Sequence, residues 1–206
     1  MKRKIKKFIA KLPFIPSIAV HVGIGGPRLR ALSALPKNGV GAEVGVHLGN
    51  FSSFIMDIAK PKKLFLIDPW KLFDSDDYSK SWYGSRVDQK IMDERHDQVC
   101  ARFKNQVDRG KVVIIRNESR AALESLADES LDFIYIDGDH TYEGVKSDLE
   151  LSLRKIKAGG IITGDDYGPG SWWAGGVKRA VDELGWDDSV KLLWIEGTQF
   201  LFRKIR

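Results

Sequence analysis

The stretch GVGAEVGVHLGNFSSFIMDIAKPKKLFLID, residues 39–68, contains the pattern that decides the fold. Two short runs rich in Val, Leu, Ile and Phe, Gly41–Val46 and Lys63–Ile67, predict buried β-strands. Between them, a glycine-containing turn opens a longer segment that predicts a helix. A strand, a helix and a second strand in this order form a βα unit, whose two strands lie parallel in one sheet.

The same alternation continues towards the C-terminus. Three more strands are predicted, at Lys111–Ile115, Leu131–Ile136 and Gly160–Thr163. Two further β-rich runs, Lys191–Glu196 and Thr198–Arg203, are separated by Gly197 and predict a tight antiparallel hairpin. We therefore expect an α/β fold in which five parallel strands are followed by an antiparallel hairpin.

Composition limits the range of functions. A chain of 206 residues, 43% of them hydrophobic, can bury one core, so we expect a single catalytic domain. Cys100 is the one cysteine, which excludes an internal disulfide and a zinc site built from several thiolates. A reducing, cytoplasmic setting fits this composition best.

The net charge of +5 is unevenly distributed. Residues 1–37 contain nine Lys and Arg and no acid, whereas the remainder has 24 basic and 28 acidic residues. We therefore divide the chain into a basic N-terminal extension, residues 1–38, and a catalytic domain, residues 39–206. Because the basic surplus belongs to the extension alone, it does not predict binding of nucleic acid by the domain.

The start of the extension, residues 1–16, has apolar side chains at helical spacing between its lysines. Its apolar run is too short to span a bilayer and too interrupted for a signal peptide. Two interpretations remain: peripheral contact with the anionic inner face of a membrane, or a solubilising arm. A homo-oligomer is also left open.

Residues suited to a nucleotide cofactor follow the first strand, and they are Glu43, Gly45, Gly49 and Ser52. The glycines are expected where backbone comes close to a ligand. Their spacing, Gly45-x-x-x-Gly49, lacks the third glycine of a pyrophosphate-binding turn. An acid at position 43 instead suits the ammonium and sulfonium groups of S-adenosylmethionine.

Polar residues also follow the next two strands. Asp68 ends the second strand in the run Ile67-Asp68-Pro69-Trp70, and we expect Asp68, with Trp70 beside it, to bind the cofactor ribose. This feature is shared by NAD and S-adenosylmethionine. After the third strand, Glu118 and Ser119 are placed to contact the adenine, although helix capping by Ser119 explains its position equally well.

The strongest functional signal is a group of acids and one histidine at the ends of the fourth and fifth strands. Asp137, Asp165 and Asp166 are expected to supply oxygen ligands to Mg²⁺ or Mn²⁺, and Asp137 also borders the cofactor. His140, three residues beyond Asp137, is the predicted general base. Each residue alone could equally be a helix cap, a solvated turn or a buried histidine.

Taken in order, the motifs E-x-G-x-x-x-G, I-D-G-x-H-x-Y, G-G and D-D-Y resemble class I S-adenosylmethionine-dependent methyltransferases of the bacterial sugar and natural-product O-methyltransferase type. The resemblance covers residues 39–206 and implies a Rossmann-like fold, a divalent metal on Asp137, Asp165 and Asp166, and His140 as the base. It also implies that the helix Gly176–Leu184 follows the fifth strand, with Trp172 and Trp173 near a small-molecule or glycan acceptor.

This sequence departs from the family pattern at His47, where relatives often have a glycine, and at Asp139, which occupies a variable position. An alternative reading is an NAD-dependent oxidoreductase or epimerase, because Tyr142 and Lys146 have the spacing of a catalytic Tyr-x-x-x-Lys pair. A third is a non-catalytic adaptor for membrane or nucleic acid, built around the basic extension.

Overall fold

The computed structural model describes residues 25–73, 78–84 and 87–206. The strands are β1 (Val40–Val44), β2 (Lys63–Asp68), β3 (Val112–Arg116), β4 (Leu131–Ile136), β5 (Ile156–Gly164), β6 (Val190–Glu196) and β7 (Gln199–Lys204). The helices are α1 (Pro27–Ala34), α2 (Asn50–Ile58), α3 (Gln89–Asp108), α4 (Ser119–Ser125), α5 (Tyr142–Lys155) and α6 (Gly176–Leu184).

The strands form one sheet in the order β3-β2-β1-β4-β5-β7-β6. Strands β1 to β5 are parallel, and β7 is antiparallel to both β5 and β6. The predicted parallel sheet with a closing antiparallel hairpin is therefore confirmed. Because the chain order reverses between β1 and β4, the carboxyl ends of these two strands border a crevice, where ligands bind in open α/β sheets.

The core lies on both faces of the sheet. Successive residues of β4 enter different apolar clusters: Phe133 packs with α1, α2 and α3, whereas Ile134 packs with α4, α5 and α6. Since neighbouring side chains of a strand point to opposite faces, helices cover the sheet on each side. This double burial explains why most residues of the central strands are apolar.

Helix α1 lies within the predicted N-terminal extension. Its residues Ala31 and Leu32 are completely buried, and Leu35 directly after it is almost so. This part of the extension therefore packs on the core through an apolar helix face that lies among basic residues in the sequence. Residues 1–24, including the segment 1–16 considered for membrane contact, lie outside the described residues.

The described residues after β2 are divided between two kinds of structure. Residues 69–88 connect β2 to α3, and α3 begins at Gln89, capped by the Asp88 side chain, which accepts a hydrogen bond from the Ile91 amide at 2.9 Å. None of the helices in the described part of the chain combines the length and apolar character needed to cross a bilayer.

Candidate active site

The turn after β1 touches the loop after β4. Gly45 has a φ of +88°, and a Cβ at this position would overlap the carbonyl oxygen of Asp137. Glycine is therefore required here because two backbone segments meet. Gly49, with a φ of +70°, precedes α2 in the left-handed conformation. These contacts fix the turn that opens the crevice.

Glu43 lies at the base of this turn and is only 1% exposed. Its Oε2 atom is buried without a hydrogen-bond partner. Burial raises the pKa of Glu43 well above 4.5, and the neighbouring Ser52 hydroxyl offsets this only in part. A buried acceptor without a partner is rare in folded proteins and is consistent with a cationic group bound above the turn.

Asp68 organises the same turn from the end of β2. Its Oδ2 atom accepts hydrogen bonds from the amides of Val46 and His47, both at 2.9 Å, and from the Tyr83 hydroxyl at 2.7 Å. Its Oδ1 atom accepts from the Trp70 amide at 2.8 Å. Burial raises the pKa of this carboxyl despite these bonds. The carboxylate of Asp68, which we expected to bind ribose, thus already accepts four hydrogen bonds from the protein.

His47 and Trp70 lie beside Asp68. The Trp70 side chain is fully buried, and its indole N–H donates to the His47 carbonyl oxygen at 2.9 Å. Trp70 therefore packs against the buried side of the turn and stabilises it. The His47 ring packs on Trp82 at 5.0 Å between ring centroids, and burial lowers its pKa to about 4.

The predicted adenine contacts are placed at the carboxyl end of β3. Glu118 is exposed and pairs with Lys71 at 2.9 Å. Ser119 is the first residue of α4, and Glu118 is the capping residue, so the alternative in which Ser119 caps the helix is wrong. Ser119 lies beside Asp148, a completely buried carboxyl whose pKa is raised by burial to about 7.

The ends of β4 and β5 bring Asp137, His140 and Asp166 together. Ligand atoms of these three residues lie within 4.8 Å of one another. His140 Nε2 is 2.6 Å from Asp166 Oδ2 and 3.6 Å from Asp137 Oδ1. Asp166 adopts a left-handed backbone conformation, with a φ of +60°, that directs its carboxylate towards the histidine.

The charged side chains of Asp137, His140 and Asp166 are close enough to shift pKa values within the group. Burial lowers the pKa of His140, but the carboxylates of Asp137 and Asp166 outweigh it and raise the pKa to about 10. Burial raises the pKa of Asp137 to about 6, and the negative charges of Asp165 and Asp166 add to this effect. In this arrangement His140 is a cation at neutral pH.

Asp165, the third predicted metal ligand, has other partners. Its Oδ2 atom accepts a hydrogen bond from Arg28 Nε at 2.7 Å and a second from the Nη2 atom of Arg28. Its Oδ1 atom accepts from the Thr198 hydroxyl and from the Asp166 amide. The structure therefore separates Asp165 from the group formed by Asp137, His140 and Asp166.

Aromatic side chains surround His140. Its ring packs on Trp173 at 4.9 Å and on the edge of Trp172 at 6.1 Å between ring centroids. Tyr78, from the β2–α3 connection, lies 5.8 Å from Trp172 and donates its hydroxyl to Asp139 at 2.7 Å. Tyr78, which lies 94 positions before Trp172 in the chain, thus adds to the aromatic surface that we expected Trp172 and Trp173 to form.

Sequence reasoning missed Arg28, Tyr78 and Tyr83, because each meets an acid far away in sequence. The Tyr142–Lys146 pair does exist, with Lys146 Nζ 3.0 Å from the Tyr142 hydroxyl. Both side chains bind Glu183 on α6, and the Tyr142 ring lies under the guanidinium of Arg179. The pair is therefore part of the α5–α6 interface.

A model of the methyltransferase domain family matches residues 42–167, and the chain belongs to this family. The curated relative y4gI of Sinorhizobium fredii (strain NBRC 101917 / NGR234), an uncharacterized protein, is 27% identical over 143 residues. The match covers 64% of this chain and 14% of the relative, so the chain spans about one seventh of that protein's length.

Solved structures share the fold. A protein from Corynebacterium glutamicum has a TM-score of 0.64 and 12% identity, with 99% of this chain and 97% of that chain covered. Cofactor-bound Rv0187 from MTB has a TM-score of 0.60 and 14% identity, with 92% and 94% covered. The O-methyltransferase NovP has a TM-score of 0.57 and 21% identity, with 82% and 72% covered. Residues 42–167 therefore form a methyltransferase domain, whose fold these solved structures share.

Proposed function

We propose that the chain transfers a methyl group from S-adenosylmethionine to a hydroxyl oxygen of a sugar, a glycan or a small natural product, assisted by a divalent ion. The observation that carries this proposal is the group formed by Asp137, His140 and Asp166 beside Trp172 and Trp173. Proton-accepting groups and aromatic surfaces suit a hydroxylated acceptor. NovP, a solved structure with the same fold, is an O-methyltransferase, which supports oxygen as the methylated atom.

In this proposal the cofactor lies across the carboxyl ends of β1, β2 and β4. The unpartnered carboxyl of Glu43 fits the ammonium group of its methionine part, with Gly45, Gly49 and Ser52 forming the turn beneath. Asp137 borders the same end. Farther along the sheet edge, the assigned contacts are Asp68 for the ribose, with the buried Trp70 supporting the turn beside it, and Glu118 with Ser119 for the adenine. The bound donor supplies an electrophilic sulfonium methyl group.

The metal assignment fits Asp137 and Asp166 better than Asp165. Two carboxylates near one another suit Mg²⁺ or Mn²⁺, which prefer oxygen ligands, whereas both oxygens of Asp165 already accept two protein donors each. A divalent ion bound here would polarise the acceptor hydroxyl and offset the carboxylate charges that raise the pKa of His140.

The proposed role of His140 is to take the proton of the acceptor hydroxyl in its neutral form, which a divalent ion held by Asp137 and Asp166 would favour by offsetting their negative charge. Its ring lies between Trp173 and the carboxylate of Asp166, so the orientation of the imidazole is constrained before the acceptor binds. Trp172, Trp173 and Tyr78 form one wall of the space beside it. An aromatic wall of this kind binds the apolar face of a sugar ring or a planar ring.

The test begins with an acceptor screen. The purified chain is incubated with methyl-labelled S-adenosylmethionine, Mg²⁺ and panels of nucleotide sugars, glycans and catechols, and transfer is measured by mass spectrometry. On the acceptor found, His140→Ala is expected to lower kcat by about 10²- to 10⁴-fold, the usual contribution of a general base. Binding of S-adenosylmethionine, measured by calorimetry, stays within about threefold, because His140 is not assigned to the cofactor.

Asp128→Asn is the matched control, because Asp128 pairs with Lys155 on the surface away from this group. It is expected to leave kcat unchanged. Wild-type turnover by His140→Ala would refute the assignment of the base. Loss of cofactor binding in His140→Ala would instead show that the histidine maintains the cofactor site.

A further inference from the structure

Helix α1 delivers a positive charge to the acidic group. The Arg28 guanidinium donates two hydrogen bonds to Asp165 Oδ2, and its Nη2 atom lies 3.7 Å from Asp137 Oδ2. The Asp165 side chain is only 2% exposed, whereas that of Arg28 is 43% exposed. A guanidinium is always charged, so it neutralises part of the negative charge that three aspartates place at this sheet edge.

Arg28 is held in this position by its helix. Ala31, Leu32 and Leu35, which are buried in the core, anchor α1 and the residue that follows it. On the same helix, Arg30 pairs with Glu196 and lies 4.6 Å from the Trp194 ring. The approach of Arg28 to Asp165 is therefore part of the packed fold.

This contact determines which acids remain for a metal. All four acceptor positions of Asp165 are used, by Arg28, Thr198 and the Asp166 amide. Asp137 and Asp166 keep carboxylate oxygens close to His140. A divalent ion bound between them would lie near the guanidinium, and the two positive charges would repel each other.

We propose that Arg28 is an internal cation that takes the place of a metal contact at Asp165 and weakens divalent-ion binding by Asp137 and Asp166. This inference rests on the metal site in the proposed function. It predicts that removing the Arg28 charge tightens metal binding, whereas removing an arginine elsewhere on α1 does not.

The experiment measures Mn²⁺ affinity of the full chain by electron paramagnetic resonance of the free ion, so no acceptor or turnover is needed. Arg28→Gln is expected to bind Mn²⁺ at least tenfold more tightly than wild type. Arg28→Lys, which keeps the charge, stays within about threefold of wild type. Arg30→Gln is the matched control on the same helix and is expected to leave the affinity unchanged. Circular dichroism establishes that each variant is folded.

Asp166→Asn separates the two proposals, because it removes a predicted metal ligand and should abolish Mn²⁺ binding. If wild type and Arg28→Gln bind Mn²⁺ equally, or Arg28→Gln binds more weakly, the role of Arg28 is overturned while the metal site stands. If no variant binds Mn²⁺ at millimolar concentration, the metal site itself fails, and the inference fails with it.

Discussion

The hydroxyl of Tyr83 occupies an acceptor position on Asp68 that we assign to the cofactor ribose. The distance from the hydroxyl oxygen to Asp68 Oδ2 is 2.7 Å, and Asp68 is 1% exposed. Because the proposed function assigns this position to the ribose and the two donors cannot share it, binding of S-adenosylmethionine is expected to displace Tyr83. The change Tyr83→Phe removes the competing donor and leaves the ring in place.

The size of the effect follows from the hydrogen bond that is lost. A hydrogen bond to a charged group contributes about 1.5 to 3 kcal/mol, and about 1.4 kcal/mol corresponds to tenfold in affinity. Because the bond stabilises only the cofactor-free protein, Tyr83→Phe should lower the Kd for S-adenosylmethionine by about tenfold or more. The measurement is isothermal titration calorimetry of both proteins with the cofactor.

Trp82→Ala is a useful companion, because Trp82 covers His47 on the same segment without contributing a hydrogen bond to Asp68. It is expected to change the Kd less than Tyr83→Phe does. Weaker binding by Tyr83→Phe would refute the reasoning, since it would mean that the hydroxyl contributes to the bound state and that Asp68 does not exchange it for ribose.

Two other predictions concern stability. Gly45→Ala should lower the free energy of unfolding by at least about 2 kcal/mol, because it combines a positive φ with overlap against Asp137. The control Gly110→Ala should lower it by about 1 kcal/mol, because Gly110 has a φ of +66° but open space around it. Equal losses for the two variants in urea titrations would contradict this prediction. Asp148→Asn should stabilise the protein at pH 8 by about 2 to 4 kcal/mol and have little effect at pH 4. The reason is that the buried Asp148 carboxyl has a pKa raised to about 7, so the wild-type protein loses stability as the pH rises from 4 to 7. Thermal unfolding of both proteins across this range tests it, and a pH-independent difference would exclude the carboxyl as the cause.

Local sequence pattern was sufficient for most of the sheet. The predicted bounds of β4, Leu131–Ile136, agree with the structure, because a strand buried on both faces is mostly apolar. Strand β5 begins at Ile156, four residues before the predicted start, because it follows directly on α5 and its first residues, Ile156-Lys-Ala-Gly159, lack a strand pattern.

The candidate site could be predicted only in part. Asp137, His140 and Asp166 follow parallel strands, and strand ends meet at one sheet edge by topology alone. The Arg28–Asp165 pair joins residues 137 positions apart and depends on how α1 packs. The basic composition of residues 1–37 suggested a solvated extension. The short buried face of α1 is difficult to recognise there, because it lies among several charged residues.

The central claim is that methyl transfer takes place where the carboxyl ends of β1, β4 and β5 meet. A crystal structure of the chain with S-adenosylhomocysteine tests it most directly. The sulfur is expected to lie over the crevice between the Gly45 turn and Asp137, on the side facing His140 and Asp166. A ligand bound elsewhere, or a sulfur separated from His140 by the sheet, would contradict it.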